Sequence, residues 1–121
     1  MIAYVDGIPA GWATVAPRAE YIRLATSKIL APVDDQEVWS IPCFFIHRNF
    51  RRLGMTSRLI NAAENFARDH GARILEAYPY EPEGKANALS IYTGVSSTFL
   101  KLGFTEVARR SASRPIMRKS L

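Results

Sequence analysis

Apolar and polar residues are distributed along the chain in short blocks that predict several brief strands and one long helix. Ile2 to Val5 and Ile8 to Val15 flank Asp6-Gly7. That dipeptide readily takes the positive φ angles of a tight hairpin turn, so the two runs predict an antiparallel pair. Arg18 to Leu30 places Tyr21, Ile22, Leu24, Ala25 and Ile29 near helical spacing, which predicts a helix ending before Pro32. Pro32-Val33-Asp34-Asp35 then reads as a turn. Val38 to Ile46 is the most apolar run, and its length and aromatic content predict a central strand buried on both faces. Pro42 interrupts that run and removes one ladder donor, so a bulge or a local loss of pairing is expected there.

Met55 to His70 is the clearest helix. Leu59, Ala63, Phe66 and Ala67 form one stripe, joined by Ile60, while Arg58, Asn61, Glu64, Asn65, Arg68 and Asp69 lie elsewhere; Gly71 supplies the stop. Arg73 to Tyr78 reads as a strand and Glu81 to Ser90 as a polar loop. Val95 to Leu102 reads as a short helix ended by Gly103, and Phe104 to Ala108 and Ile116 to Lys119 as closing strands. The order β-β-(α)-β-α-β-α-β-β predicts an α/β fold. Its mixed sheet has a parallel crossover unit in the middle, hairpins at both ends and helices on both faces. Residues 1–121 show no repeat or linker and predict a single domain.

Composition narrows the chemistry. With 48% apolar residues the chain can build a packed core without a metal or a disulfide, and the lone Cys43 excludes an internal disulfide and a cysteine-rich metal site. No apolar stretch is long enough to span a bilayer and no basic segment precedes an apolar one at the N-terminus, so a soluble cytoplasmic protein is expected. The formal charge of +5 is concentrated in His47 to Arg58 and Arg109 to Lys119. Such a balance suits a nucleic acid or a polyphosphate ligand, and charge alone does not choose between them.

The segment Ile46-His47-Arg48-Asn49-Phe50-Arg51-Arg52-Leu53-Gly54-Met55-Thr56-Ser57 ends a buried strand, passes through a basic loop and opens a helix. The first amides of a helix have no intrahelical acceptor, and the helix dipole adds partial positive charge there. Gly54 lets the backbone approach a ligand without a Cβ in the way, and Arg51, Arg52 and Arg58 add charge. The loop and helix start from Arg51 to Ser57, Met55 included, therefore predict an anion site for a pyrophosphate or similar group.

Arg51-x-x-Gly54-x-Thr56 resembles the Arg/Gln-x-x-Gly-x-Gly/Ala signature of the GCN5-related N-acetyltransferase (GNAT) family. Phe44-Phe45-Ile46 matches the strand before that signature, Leu59-Ile60 follows it, and Phe99-Leu100-Lys101-Leu102-Gly103-Phe104 resembles the family's second, looser motif. The resemblance implies a GNAT-like fold and transfer of an acetyl group from acetyl-CoA to an amine on a small molecule or peptide. It implies that Phe44, Phe45 and Ile46 line the pantetheine arm beside a distorted strand. It further implies that Arg52, Leu53, Gly54, Thr56 and Ser57 offer amides to the pyrophosphate of coenzyme A.

Three departures from the family pattern bear on activity. Thr56 stands where Gly or Ala is usual, with a hydroxyl able to bond a phosphate or cap the helix. Phe99 stands where a tyrosine usually protonates the leaving thiolate, and Tyr92, about two helical turns upstream, is the alternative donor. The family's first strand and the two helices after it have no counterpart, so Arg18 to Asp35 or a second subunit is expected to fill their place; a homodimer would pair the exposed strand edge. Glu76 is the candidate base, mid-strand among apolar neighbours, with a solvent-facing or salt-bridged strand position as its alternative. His47 is a second candidate base or a phosphate contact, and Cys43 reads as a small core residue. Besides the enzyme, two other readings fit: an acyl-CoA-binding module without transfer, given Phe99, and a basic nucleic-acid-binding domain, given the charge.

Overall fold

In the computed structural model of the chain, the described residues are 1–50, 54–81 and 94–121. Asp6 and Gly7 hold φ of 50° and 79°, closing the hairpin of β1 (Ile2–Val5) and β2 (Ile8–Ala13) as expected. The run Val38 to Ile46 does not form one strand. It gives β4 (Trp39–Ile41) and β5 (Phe44–Ile46), separated at Pro42-Cys43. The short β3 (Ala16–Pro17) pairs antiparallel with β4 and was not evident from the pattern.

The proline interruption has a topological effect. β4 pairs in parallel with β6 (Ile74–Ala77), whereas β5 pairs antiparallel with β2. Hydrogen bonding thus divides the expected single mixed sheet into a three-stranded sheet, β1-β2-β5, and a five-stranded sheet, β3-β4-β6-β8-β7. In the second, β7 (Thr105–Arg109) and β8 (Pro115–Ser120) close as the predicted hairpin. Gly11, opposite Ile46, sits so close to β5 that an added Cβ would lie 2.5 Å from the Phe45 carbonyl oxygen.

Helix α2 (Met55–Asp69) connects β5 to β6, with Met55, Leu59, Ile60, Ala63 and Ala67 buried. These side chains share one core with Ile41, Phe44, Ile46, Leu75, Ala77 and Met117 from the strands, and with Phe99 from α3 (Ser96–Lys101). The opposite face of the five-stranded sheet presents Ser40, Glu76, Tyr78, Ile116 and Arg118. A second cluster covers it, with Leu24 and Leu30 packed against Tyr78 and Ile116.

The segment carrying Leu24 and Leu30 is not the helix predicted for Arg18 to Leu30. It contains a single 3-10 turn at Arg18–Glu20 and the five-residue α1 (Ile22–Thr26). Ile22, counted in the helical stripe, is 79% exposed. Side-chain chemistry replaces the missing ladder: the Arg18 guanidinium donates to the Leu24 carbonyl at 3.0 Å and to the Leu30 carbonyl at 2.5 Å. The same group donates to Glu76 Oε1 at 3.0 Å and to the Tyr78 hydroxyl at 2.9 Å. Tyr78 donates to Glu76 Oε1 at 2.6 Å, leaving the Ser40 hydroxyl, 2.7 Å away, to donate to Tyr78. Arg118 Nε donates to Glu76 Oε2 at 2.7 Å, and its two terminal nitrogens grip Asp34 at 2.8 and 3.1 Å. Two guanidiniums thus face two carboxylates, and the cluster pins residues 18–35 over the sheet.

Three outcomes follow from this packing. Gly11→Ala should cost about 1–3 kcal/mol in urea unfolding, because backbone rather than a movable side chain occupies the space; wild-type stability would contradict the close approach. Glu76→Gln should cost about 3–5 kcal/mol by leaving the Arg18 guanidinium without a carboxylate and Arg118 with Asp34 alone. The Arg118 hydrogen bonds hold the Asp34 carboxyl at about 2, below its ordinary value. A depressed carboxyl stabilises the fold above its unfolded value, about 3.9, and that contribution is lost as pH falls through about 2. Carboxyl NMR titration should place Asp34 there and return it towards about 3.9 in Arg118→Gln; an unmoved value in the variant would break the assignment.

Candidate functional site

β4 and β6 run side by side only as far as Ile41 and Ala77. Beyond that register the two paths part. β5 stays with β2: Cys43 accepts from the Thr14 amide at 3.1 Å, and the His47 amide donates to Ala10 at 2.7 Å. The chain after β6 turns to the start of α3, where the Tyr80 amide donates to Gly94 and the Ser96 amide to Tyr80. The sheet therefore splays at Pro42-Cys43, the place where the sequence predicts lost pairing. Phe44 and Ile46 point into the core and Phe45 lies partly open beside Trp12, their rings stacked at 6.4 Å. Gly94 fits against the Phe44 ring so tightly that a Cβ would lie 2.7 Å from it.

The end of β5 leads through residues 48–50 to Gly54, which caps α2 with φ of 73°. No side chain caps this helix, and its first turn carries no acid. Among the described residues, the earliest amide of α2 with a backbone acceptor is that of Arg58, which donates to Gly54. The amides of Met55, Thr56 and Ser57 thus have no backbone acceptor among the described residues. They border a hollow of about 300 Å³ walled by Ile46, Gly54, Met55, Thr56, Ser57, Thr98 and Lys101. A Cβ built on Gly54 meets no atom within 4 Å, so the glycine faces space rather than protein.

Ile46, Gly54, Met55, Thr56 and Ser57 meet at the hollow. Phe44 and Phe45 stand one step back, on the splayed strand. Arg51, Arg52, Leu53 and Tyr92 lie outside the described residues. Thr98 and Lys101 were not anticipated. Their spacing on a predicted helix puts them on one face, but nothing in the sequence aims that face at α2. Phe99 is fully buried between Phe44 and Phe104 and carries no proton to give.

Glu76 does not have the apolar surroundings expected of it. It is 1% exposed, and both carboxylate oxygens are taken by Arg18, Arg118 and Tyr78. Burial, followed by the Glu76 charge, pushes the Tyr78 phenol well above the ordinary tyrosine range, so it remains a donor. His47 is exposed, its Nδ1 accepting from the Asn49 amide at 3.3 Å, and Cys43 is half-buried against Thr14. Among the described residues, no group of three or more His, Cys, Asp or Glu is placed to hold a metal ion, and no helix is long and apolar enough to cross a membrane.

A family profile described as "Acetyltransferase (GNAT) family" matches residues 1–90. No curated protein matches the chain by sequence. Solved structures do match. A GNAT-family protein from Desulfovibrio desulfuricans is 17% identical, with a TM-score of 0.65 over 98% of this chain and 65% of that one. The PaiA N-acetyltransferase of Thermoplasma acidophilum, in complex with coenzyme A, is 14% identical, with a TM-score of 0.62 over 99% of this chain and 58% of that one. The aminoglycoside N-acetyltransferase AAC(6')-Iy, in complex with CoA, is 26% identical, with a TM-score of 0.60 over 91% of this chain and 69% of that one. The chain spans between 58% and 69% of the length of these structures. With a matched region that includes the splayed strand, Gly54 and the whole of α2, the chain belongs to the GNAT acetyltransferase family.

Proposed function

We propose that the chain is an N-acetyltransferase in which residues 1–121 form one catalytic unit. In this reading the acetyl group comes from acetyl-CoA and goes to an amine of a small molecule or peptide by direct attack. The observation that carries the proposal is the start of α2: three amides without a described acceptor, a glycine open to space and a hollow in front of them. Amides so arranged suit a pyrophosphate. Acetyl-CoA supplies an activated thioester; the chain's residues bind, orient and move protons. The reading also assigns Arg51, Arg52 and Leu53, which lie outside the described residues, to the pyrophosphate, and Phe44, Phe45 and Ile46 to the pantetheine arm along the splay.

An ammonium acceptor, with a pKa of about 10.4 for a lysine-like amine, loses a proton before it attacks. Glu76 is the proposed acceptor of that proton. Because its oxygens are already engaged, it acts through the Tyr78 hydroxyl, which donates to it at 2.6 Å. The leaving thiolate takes a proton from Tyr92 in place of the phenol that Phe99 lacks. Phe99 also favours a second reading, a domain that binds acyl-CoA and transfers nothing. Release of free thiol in the presence of an amine library separates the two.

Gly54→Glu should abolish CoA binding in calorimetry while circular dichroism shows an intact fold, since a Cβ at this position meets no atom within 4 Å and the added carboxylate repels the phosphates. Gly54→Asn, tolerant of a positive φ, controls for backbone strain. Micromolar CoA binding retained by Gly54→Glu would remove the site from the start of α2.

A further inference from the structure

The three-stranded sheet has a second face. Ala3, Val5, Ala10 and Ala13 pack against the core, whereas Ile2, Tyr4 and Trp12 are 57%, 59% and 37% exposed. Ile2 is the cross-strand partner of Trp12, and Trp12 of Phe45. An apolar row thus crosses all three strands and ends at the stacked rings of Trp12 and Phe45. Phe45 stands two residues past Cys43, so the row runs up to the break where the sheet opens. No residue of β1, β2 or β5 carries a charged side chain. A contiguous exposed apolar patch of this kind marks a binding surface, and this one offers an ammonium no carboxylate from its own strands. Ring faces alone hold an ammonium weakly at an exposed site, whereas a flat apolar ring both stacks on them and leaves water.

The proton path beside the splay points the same way. Glu76 and Tyr78 are each 1% exposed and Ser40 is 0% exposed, so the relay is closed to solvent. A single carboxylate takes up a single proton. An alkylammonium gives up two on becoming an amide, one before it attacks and one after. An amine attached to an aromatic ring is uncharged at neutral pH, because the ring delocalises its lone pair, and gives up only one.

We propose that the acceptor is a neutral aromatic amine whose ring stacks against Trp12 and Phe45, and that Trp12 is the residue that selects it. The inference rests on the reading of the chain as an acetyltransferase with its thioester in the splay. The amine nitrogen attacks the thioester carbonyl, and the C–N bond forms as the C–S bond breaks. The one proton lost by nitrogen passes through Tyr78 to Glu76, and Tyr92 protonates the leaving sulfur.

Thiol release from acetyl-CoA with p-toluidine and with its ring-saturated counterpart, 4-methylcyclohexylamine, tests this. In wild type kcat/KM should favour p-toluidine by about tenfold or more at neutral pH, where the saturated amine is almost wholly protonated. Trp12→Ala should raise KM for p-toluidine about tenfold, with kcat close to wild type and KM for the saturated amine unmoved. Trp12→Phe should restore most of the loss, and both variants should bind CoA in calorimetry as wild type does. Independently of turnover, titration with p-toluidine should shift the indole N–H resonance of Trp12 and leave that of Trp39 in place. Equal or better use of 4-methylcyclohexylamine overturns the proposal, as does an unmoved KM for p-toluidine in Trp12→Ala. A wild-type dimer that dissociates on Trp12→Ala also overturns it, by giving the face to a second copy of the chain. Thiol release with other amines but none with p-toluidine sinks this inference alone, whereas no release with any amine removes the transferase reading beneath it.

Discussion

The path from Trp39 to Ile46 crosses between two sheets, and the position of the candidate site depends on that crossing. Pro42 has no amide to give, and Cys43 directs its carbonyl to Thr14 rather than towards β6. The pairing that begins with Trp39 against Leu75 therefore ends with Ile41 against Ala77. Past this point β5 follows β2 and carries the chain to Gly54 and the open amides of α2. A continuous strand would have kept β5 beside β6 and closed the gap between them. One missing donor thus determines both where the sheet opens and where the helix start lies relative to the opening.

The face of the five-stranded sheet opposite α2 is covered by a different device. Residues 18–35 have few helical hydrogen bonds, and Arg18 and Arg118 reach into that segment and hold its carbonyls and Asp34. Glu76 anchors both guanidiniums. A buried carboxylate with two cationic partners costs desolvation that its partners must offset, and the return is a defined position for a loop that buries few apolar side chains. The same cluster holds Tyr78, the first residue of the chain beyond the β4–β6 register, so the covering segment and the mouth of the splay are mechanically joined.

Local chemistry was legible where one residue type dictates one backbone behaviour. Asp6-Gly7 announced its turn, Pro42 its interruption, Gly71 the end of α2, and the stripe Leu59, Ile60, Ala63, Ala67 the buried face of that helix, whereas Phe66, read into the same stripe, is 40% exposed. Gly54 before an amphipathic run marked the start of α2. The Arg18 to Leu30 segment misled because its apolar spacing is helical, whereas its conformation is set by a guanidinium bonding to Leu24 and Leu30 and by Glu76, far away in sequence. For Glu76 the salt-bridged alternative is the one observed: its sequence neighbours are apolar, but Arg118 and Arg18 arrive from β8 and from the covering segment. Thr98 and Lys101 were hidden because no local pattern states which helix face meets another helix.

The central claim concerns a few peptide nitrogens, and amide NMR observes them one by one. On titration of the isotopically labelled chain with coenzyme A, the account predicts that the resonances of Gly54, Met55, Thr56 and Ser57 move most, with Phe44 to Ile46 following. Saturation with coenzyme A that leaves the Gly54 to Ser57 amides unmoved, while resonances elsewhere shift, would contradict it.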